Sequence, residues 1–230
     1  MPYNRVIAIG DSFTRGDELA DCPVEIPNTP LQYSQSTWPA LIAKSLNYDY
    51  KSYAIGGRGN QWISMSVSTL LEKHRDALFI INWSWFERFD YVDIETNEWT
   101  VTHPRHEDKL DHYFYKHVDH EQWNLHRNLQ QIHSTISLLD QNNIDFIMTC
   151  MDPMLYTKDS FVTKEKFSSP LQEQILPNIV DFEGMSFLEW SKHNSFELGP
   201  NGHPLEQAHT AAANYIQKRL NYDTLVPSSI

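Results

Sequence analysis

A serine hydroxyl becomes a useful nucleophile only when a base takes its proton, so the first question is which serine and which histidine could meet. Ser12 directly follows the apolar run Val6-Ile7-Ala8-Ile9, which ends abruptly at Gly10-Asp11. Such a short continuous run fits a strand buried on both faces, and it leaves the serine at the strand's carboxyl end. In open parallel α/β sheets, ligand crevices form along that edge. Ser12 is therefore a candidate nucleophile, although a serine after Gly-Asp also suits a helix N-cap or a turn. Of eleven histidines, His203 is the most suggestive base. It lies in the stretch Gly199-Pro200-Asn201-Gly202-His203-Pro204, where loop backbone rather than helical packing sets its direction.

The elements that must bring these residues together can be read from periodicity. Strands are expected at Val6 to Ile9, about Tyr48 to Ala54, Ala77 to Trp83, Ile144 to Cys150 and, shorter, Asn178 to Phe182. Between them lie helical patterns. Ser36 or Thr37 can cap a helix with Pro39 in its first turn; Ile63, Val67, Leu70 and Leu71 share a face on a second. Leu125, Leu129, Ile132, Ile136 and Leu139 mark a long third that stops at Asn142 or Asn143. Two more follow, at Met185 to His193 and Leu205 to Leu220. Alternating strands and helices imply a parallel sheet, because parallel neighbours need crossover connections. The expected fold class is α/β: a three-layer α/β/α sandwich with a central parallel sheet of about five strands, flavodoxin-like in type. Nothing asks for a second domain, so residues 1–230 are read as one. An insertion at about 89–122 carries a hairpin around Thr96-Asn97 and then a His-rich lid.

Composition narrows the function classes. A net charge of −12 disfavours nucleic acid as partner, since phosphate binding needs clustered Lys and Arg. Only Cys22 and Cys150 occur, so no disulfide framework is expected and packing must supply stability. No apolar stretch approaches the roughly 20 residues of a membrane span, and the amino terminus does not read as a signal peptide. The expectation is a soluble, cytoplasm-like protein. His103, His106, His112, His117 and His120, interspersed with Glu107, Asp108, Asp111 and Asp119, invite a metal reading. Their spacing lacks a His-x-x-x-His pair on one helical turn, so a polar lid without metal is the expectation, and no cofactor is implied. His126 and His133 share a helix face as structural residues.

Gly10-Asp11-Ser12 after the first strand, Gly56-Gly57 after the second and a late His203-Pro204 together resemble the SGNH/GDSL hydrolase superfamily. The resemblance implies a compact α/β/α esterase in which a Ser-His pair, usually oriented by an Asp, cleaves an ester through an acyl-enzyme. No G-x-S-x-G occurs, which disfavours an ordinary α/β-hydrolase. Carried over by position, Ser12 looks like the nucleophile and His203 the base, with the N–H groups of Ser12 and Gly57 as oxyanion donors.

Two blocks depart from the family pattern. Where the family has Gly-x-Asn-Asp after strand three, this chain has Asn82-Trp83-Ser84, which puts Ser84 at the oxyanion asparagine, with Asn82 as a substitute donor. Where the family places an Asp three residues before the histidine, this chain has Pro200; Asn201, two before, is the candidate orienter of His203. Glu197, Glu206 and Asp181 are further acids that could supply the charge. Asp11, Trp83, Trp85 and Arg88 are candidate substrate contacts: tryptophan faces stack on sugar rings and acyl groups, and Arg88 could clamp a carboxylate or sugar hydroxyls. The expected activity is hydrolysis of a small ester, with O-acetyl groups on carbohydrate as the substrate hypothesis. The competing expectation is a catalytically impaired protein of the same fold that binds carbohydrate or serves structurally.

Overall fold

A computed structural model describes residues 3–22, 32–102, 109–156 and 169–219. His103, His106, Glu107 and Asp108 of the expected lid, and the last residue of the closing helix, lie outside them. Strands β1 (Arg5–Ile9), β2 (Asp49–Ser52), β3 (Ala77–Trp83) and β6 (Phe146–Cys150) form one sheet in the order β2-β1-β3-β6. Every pairing in it is parallel, with Arg5 to Ile9 facing Ala77 to Ile81 in register. Strands β4 (Phe89–Val92) and β5 (Trp99–Thr102) make a separate antiparallel hairpin where the turn at Thr96-Asn97 was expected.

Side-chain alternation along the strands builds the three layers. Ile7, Ile9, Phe79, Ile81 and Trp83 point to one face, where they meet α3 (Asn60–Leu71) and α5 (Glu121–Gln141). The stripe Leu125, Leu129, Ile132, Ile136 and Leu139 of α5 is buried there. Val6, Leu78, Ile80 and Ile147 point to the other face, covered by Phe13 of α1 (Ser12–Arg15), by α2 (Trp38–Ser45), α7 (Phe187–His193) and α8 (Glu206–Arg219). Between the hairpin and α5 runs α4 (Lys109–His117), and α6 (Ser169–Ile175) packs on α5.

Two expectations are corrected. The fifth strand shrinks to a single parallel bridge between Ile179 and Met148, with the Val180 N–H donating to the Met148 carbonyl at 2.7 Å. A 3₁₀ turn through Leu176-Pro177-Asn178 runs into it and a tight turn from Phe182 to Met185 follows, leaving no length for a ladder. Thr37 does occupy the N-cap of α2, but its hydroxyl makes no capping bond; the Trp38 N–H is instead met by His209 Nδ1 at 3.1 Å.

Candidate active site

Chain geometry at the end of β1 explains how Ser12 is held. Asp11, not Ser12, is the helix cap: its Oδ1 accepts the Phe13 N–H at 3.1 Å. Ser12 is thereby the first residue of α1, where a backbone N–H has no acceptor within the helix. The helix lasts one turn and ends at Gly16. Beyond β2, the sheet ladder continues into the loop, with Tyr53 N–H donating to the Ala8 carbonyl at 2.8 Å and Ile55 N–H to the Gly10 carbonyl at 3.1 Å. Those bonds steer Gly56 and Gly57 alongside the serine. A Cβ on Gly56 would lie 3.8 Å from the Ser12 Cβ and 3.1 Å from an Asp17 carboxylate oxygen. Gly57 has φ +79°, a left-handed conformation that suits glycine, and the space its side chain would fill is open.

Across 191 residues of sequence, His203 Nε2 and Ser12 Oγ lie 2.9 Å apart. His203 Nδ1 lies 2.7 Å from Glu18 Oε2. An ionised carboxylate only accepts, so the proton sits on Nδ1 and leaves Nε2 free to accept from the serine. Glu18 also accepts from the Asn201 N–H at 2.9 Å, the Asn201 Nδ2 at 3.1 Å and the His203 N–H at 3.2 Å. Burial opposes ionisation of this carboxyl, but the hydrogen bonds from Asn201 and His203 outweigh it and hold its pKa below the ordinary value. Glu18 stands in the left-handed region at φ +70°, which a non-glycine residue adopts only at some energetic cost. On the facing loop, a Cβ on Gly199 would come within 2.6 Å of Glu18 Oε2, so a glycine there lets the carboxylate in.

Glu18 is the residue that motif reading missed. Asn201 does not orient His203 through its own amide oxygen, because its N–H groups point at Glu18 and the histidine's Nδ1 goes to the same carboxylate. The other acids considered are engaged elsewhere or exposed: Glu206 accepts the Ala20 N–H at 2.8 Å, Asp181 pairs with Arg219 at 2.9 Å, and Glu197 is exposed.

The third block forms a sealed floor rather than a donor set. Ser84 is fully buried and donates its hydroxyl proton to Asp11 Oδ2 at 2.8 Å. Arg88 Nη1 reaches the same Asp11 oxygen at 3.0 Å and Ser84 Oγ at 2.6 Å. Asp11 and Arg88 are themselves buried, with Asp11 wholly enclosed. Asn82 is fully buried too, its Oδ1 accepting from Thr149 at 2.7 Å. Trp83 points into the core, where its indole N–H faces Met148 Sδ at 3.4 Å, while half-buried Trp85 packs on the opposite core cluster. Asn60 fastens the floor, accepting the Ser84 N–H at 2.7 Å and donating to the Ser84 carbonyl at 3.1 Å. Beside it, Asp152 accepts the Phe86 N–H at 2.6 Å, and burial pushes its pKa up to about 6.

Among the described residues, no group of three or more His, Cys, Asp or Glu is arranged to hold a metal, and no helix is long and apolar enough to cross a membrane.

A parallel sheet ordered β2-β1-β3-β6, with a serine directly after β1 and its histidine partner just ahead of the last helix, is the fold of the SGNH/GDSL hydrolases. Solved structures of that family cover nearly the whole chain. A catalytic mutant of Axe2, an acetylxylan esterase from Geobacillus stearothermophilus, is similar with a TM-score of 0.55 at 13% identity, covering 100% of this chain and 99% of that one. The psychrotrophic esterase EstA from Pseudoalteromonas sp. gives 0.53 at 11% identity over 95% and 99%. A member of the lipolytic G-D-S-L family from Veillonella parvula gives 0.50 at 12% over 95% and 98%. No protein-family model matches the sequence, and no curated protein matches it.

Proposed function

We propose that the chain is a serine ester hydrolase working through a Ser12–His203–Glu18 relay. The observation that carries this reading is the continuous hydrogen-bonded line from Ser12 Oγ through the imidazole to the Glu18 carboxylate. Ser12 Oγ attacks the ester carbonyl while His203 Nε2 takes its proton, and the adjacent Glu18 carboxylate stabilises the imidazolium that forms. The tetrahedral oxyanion is held by the Ser12 N–H, the first of its helix, and by the Gly57 N–H on the facing turn. His203 returns the proton to the departing alcohol, leaving an acyl-enzyme. Water, deprotonated by the same imidazole, then attacks the acyl carbon, and Ser12 leaves with the proton.

Small acyl groups fit best. Ser12 is only 6% exposed, which favours a short acyl chain on the carbonyl it attacks. An O-acetyl ester of a carbohydrate is the proposed substrate class, in keeping with the acetylxylan esterase among the structures of the same fold. One ground for an impaired protein, the absent acid of the histidine loop, is met by Glu18.

The test is turnover of p-nitrophenyl acetate by wild type and Ser12→Ala. Removing the nucleophile of such a relay should cost about 10⁴-fold or more in kcat. Equal rates would reject the reading.

A further inference from the structure

A buried carboxylate of the inserted hairpin ties it to the glycine turn. Asp90, the second residue of β4, is buried, and both its oxygens are spent on the start of α3. Oδ1 accepts the Gly59 N–H at 2.8 Å and Oδ2 the Trp62 N–H at 3.0 Å. Helix starts leave such N–H groups without intrahelical acceptors, and they are usually served by a polar side chain at the N-cap. Here the N-cap is Gly59, which has no side chain to offer. The cap is supplied from 31 residues downstream.

The same turn is gripped at two further points. Arg88 Nη1 donates to the Arg58 carbonyl at 3.1 Å, and Arg58 Nη1 donates to the Trp99 carbonyl on β5. Arg58 and Gly59 directly follow Gly57, so a shift at either moves the Gly57 N–H. Burial raises the pKa of Asp90, against the lowering by its two N–H partners and by Arg58 and Arg127. Evidently the fold keeps a carboxyl here where an apolar residue would desolvate at less cost.

We infer that Asp90 is a positioning residue for ester hydrolysis: through Gly59 and Trp62 it sets where the Gly57 N–H points, making the hairpin a buttress of the oxyanion site rather than a loose insertion. This inference rests on the ester-hydrolase reading. Misplacing a transition-state donor by about 1 Å can cost on the order of 10²-fold.

Two variants test it from opposite sides. Asp90→Ala removes the acceptor. Gly59→Ala keeps it but would put a Cβ 2.7 Å from Asp90 Oδ2, forcing the contact apart. Both should lower kcat on p-nitrophenyl acetate by about tenfold to 10²-fold while KM stays within about twofold, the split expected of an interaction made mainly in the transition state. Asp90→Asn, retaining one acceptor oxygen, should fall between them and wild type. Melting curves and circular dichroism are recorded alongside. Wild-type kcat in folded Asp90→Ala and Gly59→Ala, with Ser12→Ala inactive, would overturn the inference and leave the hydrolase reading intact. Loss of fold in both variants, or a KM increase that accounts for the whole loss, would overturn it as well, by reducing Asp90 to a structural cap. An active Ser12→Ala would remove the reading on which it stands.

Discussion

The loop carrying His203 and the loop after β3 both depart from the pattern of the SGNH/GDSL hydrolases that the sequence resembles, and the structure treats the two departures in opposite ways. At the histidine, the missing acid is replaced in space: Glu18 enters from the segment after α1 and collects three donors besides the imidazole. At the oxyanion side, the missing asparagine is not replaced in space. Ser84, which stands at its position, gives its proton to Asp11 and is locked beneath the floor by Arg88. Proton transfer demands a charge near the imidazolium, whereas an oxyanion can be held by backbone donors alone, so the two losses carry different chemical costs. The first loop thus answers to rate, the second to stability.

Substitution can separate the two. Glu18→Gln should have the larger effect on catalysis, lowering kcat by about 10²- to 10⁴-fold, because an amide cannot stabilise the imidazolium as a carboxylate does. Its denaturation midpoint should move less than that of Arg88→Ala, because glutamine keeps the size of the side chain and one acceptor oxygen for the Asn201 and His203 donors. A kcat within about threefold of wild type would break the contrast from the catalytic side. Arg88→Ala should act on stability, costing about 3–5 kcal/mol in a denaturant titration by leaving the buried Asp11 carboxylate without its cation. An unchanged midpoint would show that the floor is not an electrostatic unit.

A smaller, pH-dependent effect sharpens the same comparison at the histidine loop. His209 is fully buried, donates nothing to catalysis, and hydrogen-bonds both the Trp38 N–H and the backbone of Pro204, next to His203. Burial, with the neighbouring His203 adding to it, pushes its pKa down to about 3. An unfolded chain protonates this residue near pH 6.5, the ordinary histidine value, whereas the folded protein does not until about pH 3. Its contribution to stability is therefore complete above pH 6.5 and drains away as the pH falls toward 3. His209→Asn keeps an acceptor for the Trp38 N–H and does not titrate. Its melting temperature should fall less than that of wild type between pH 6.5 and 4.5; parallel curves would refute the assignment.

Much of the fold was legible because it rests on short-range pattern. Apolar runs located the strands, the stripe on α5 located its buried face, and the Gly-Asp-Ser and His-Pro pairs marked two loops at one sheet edge. Glu18 was not legible by motif, since it lies 185 residues from His203 and its left-handed backbone is invisible in a string of letters. A signal did exist: Asp17 and Glu18 stand within six residues of Ser12, on a loop that must leave the same edge. The burial of Trp83 was not legible, because position at a strand end was read as a place in the cleft, whereas its ring packs in the core with residues of α3 and α5. Pro177 likewise warned that the fifth strand would be short.

Covalent labelling tests the relay at its source. Incubation of the wild-type protein with a fluorophosphonate, followed by peptide mapping in a mass spectrometer, should place the adduct on Ser12, with labelling slowed in Glu18→Gln and abolished in Ser12→Ala. An adduct on another serine, or a folded wild-type protein that resists the reagent, would contradict an activated Ser12.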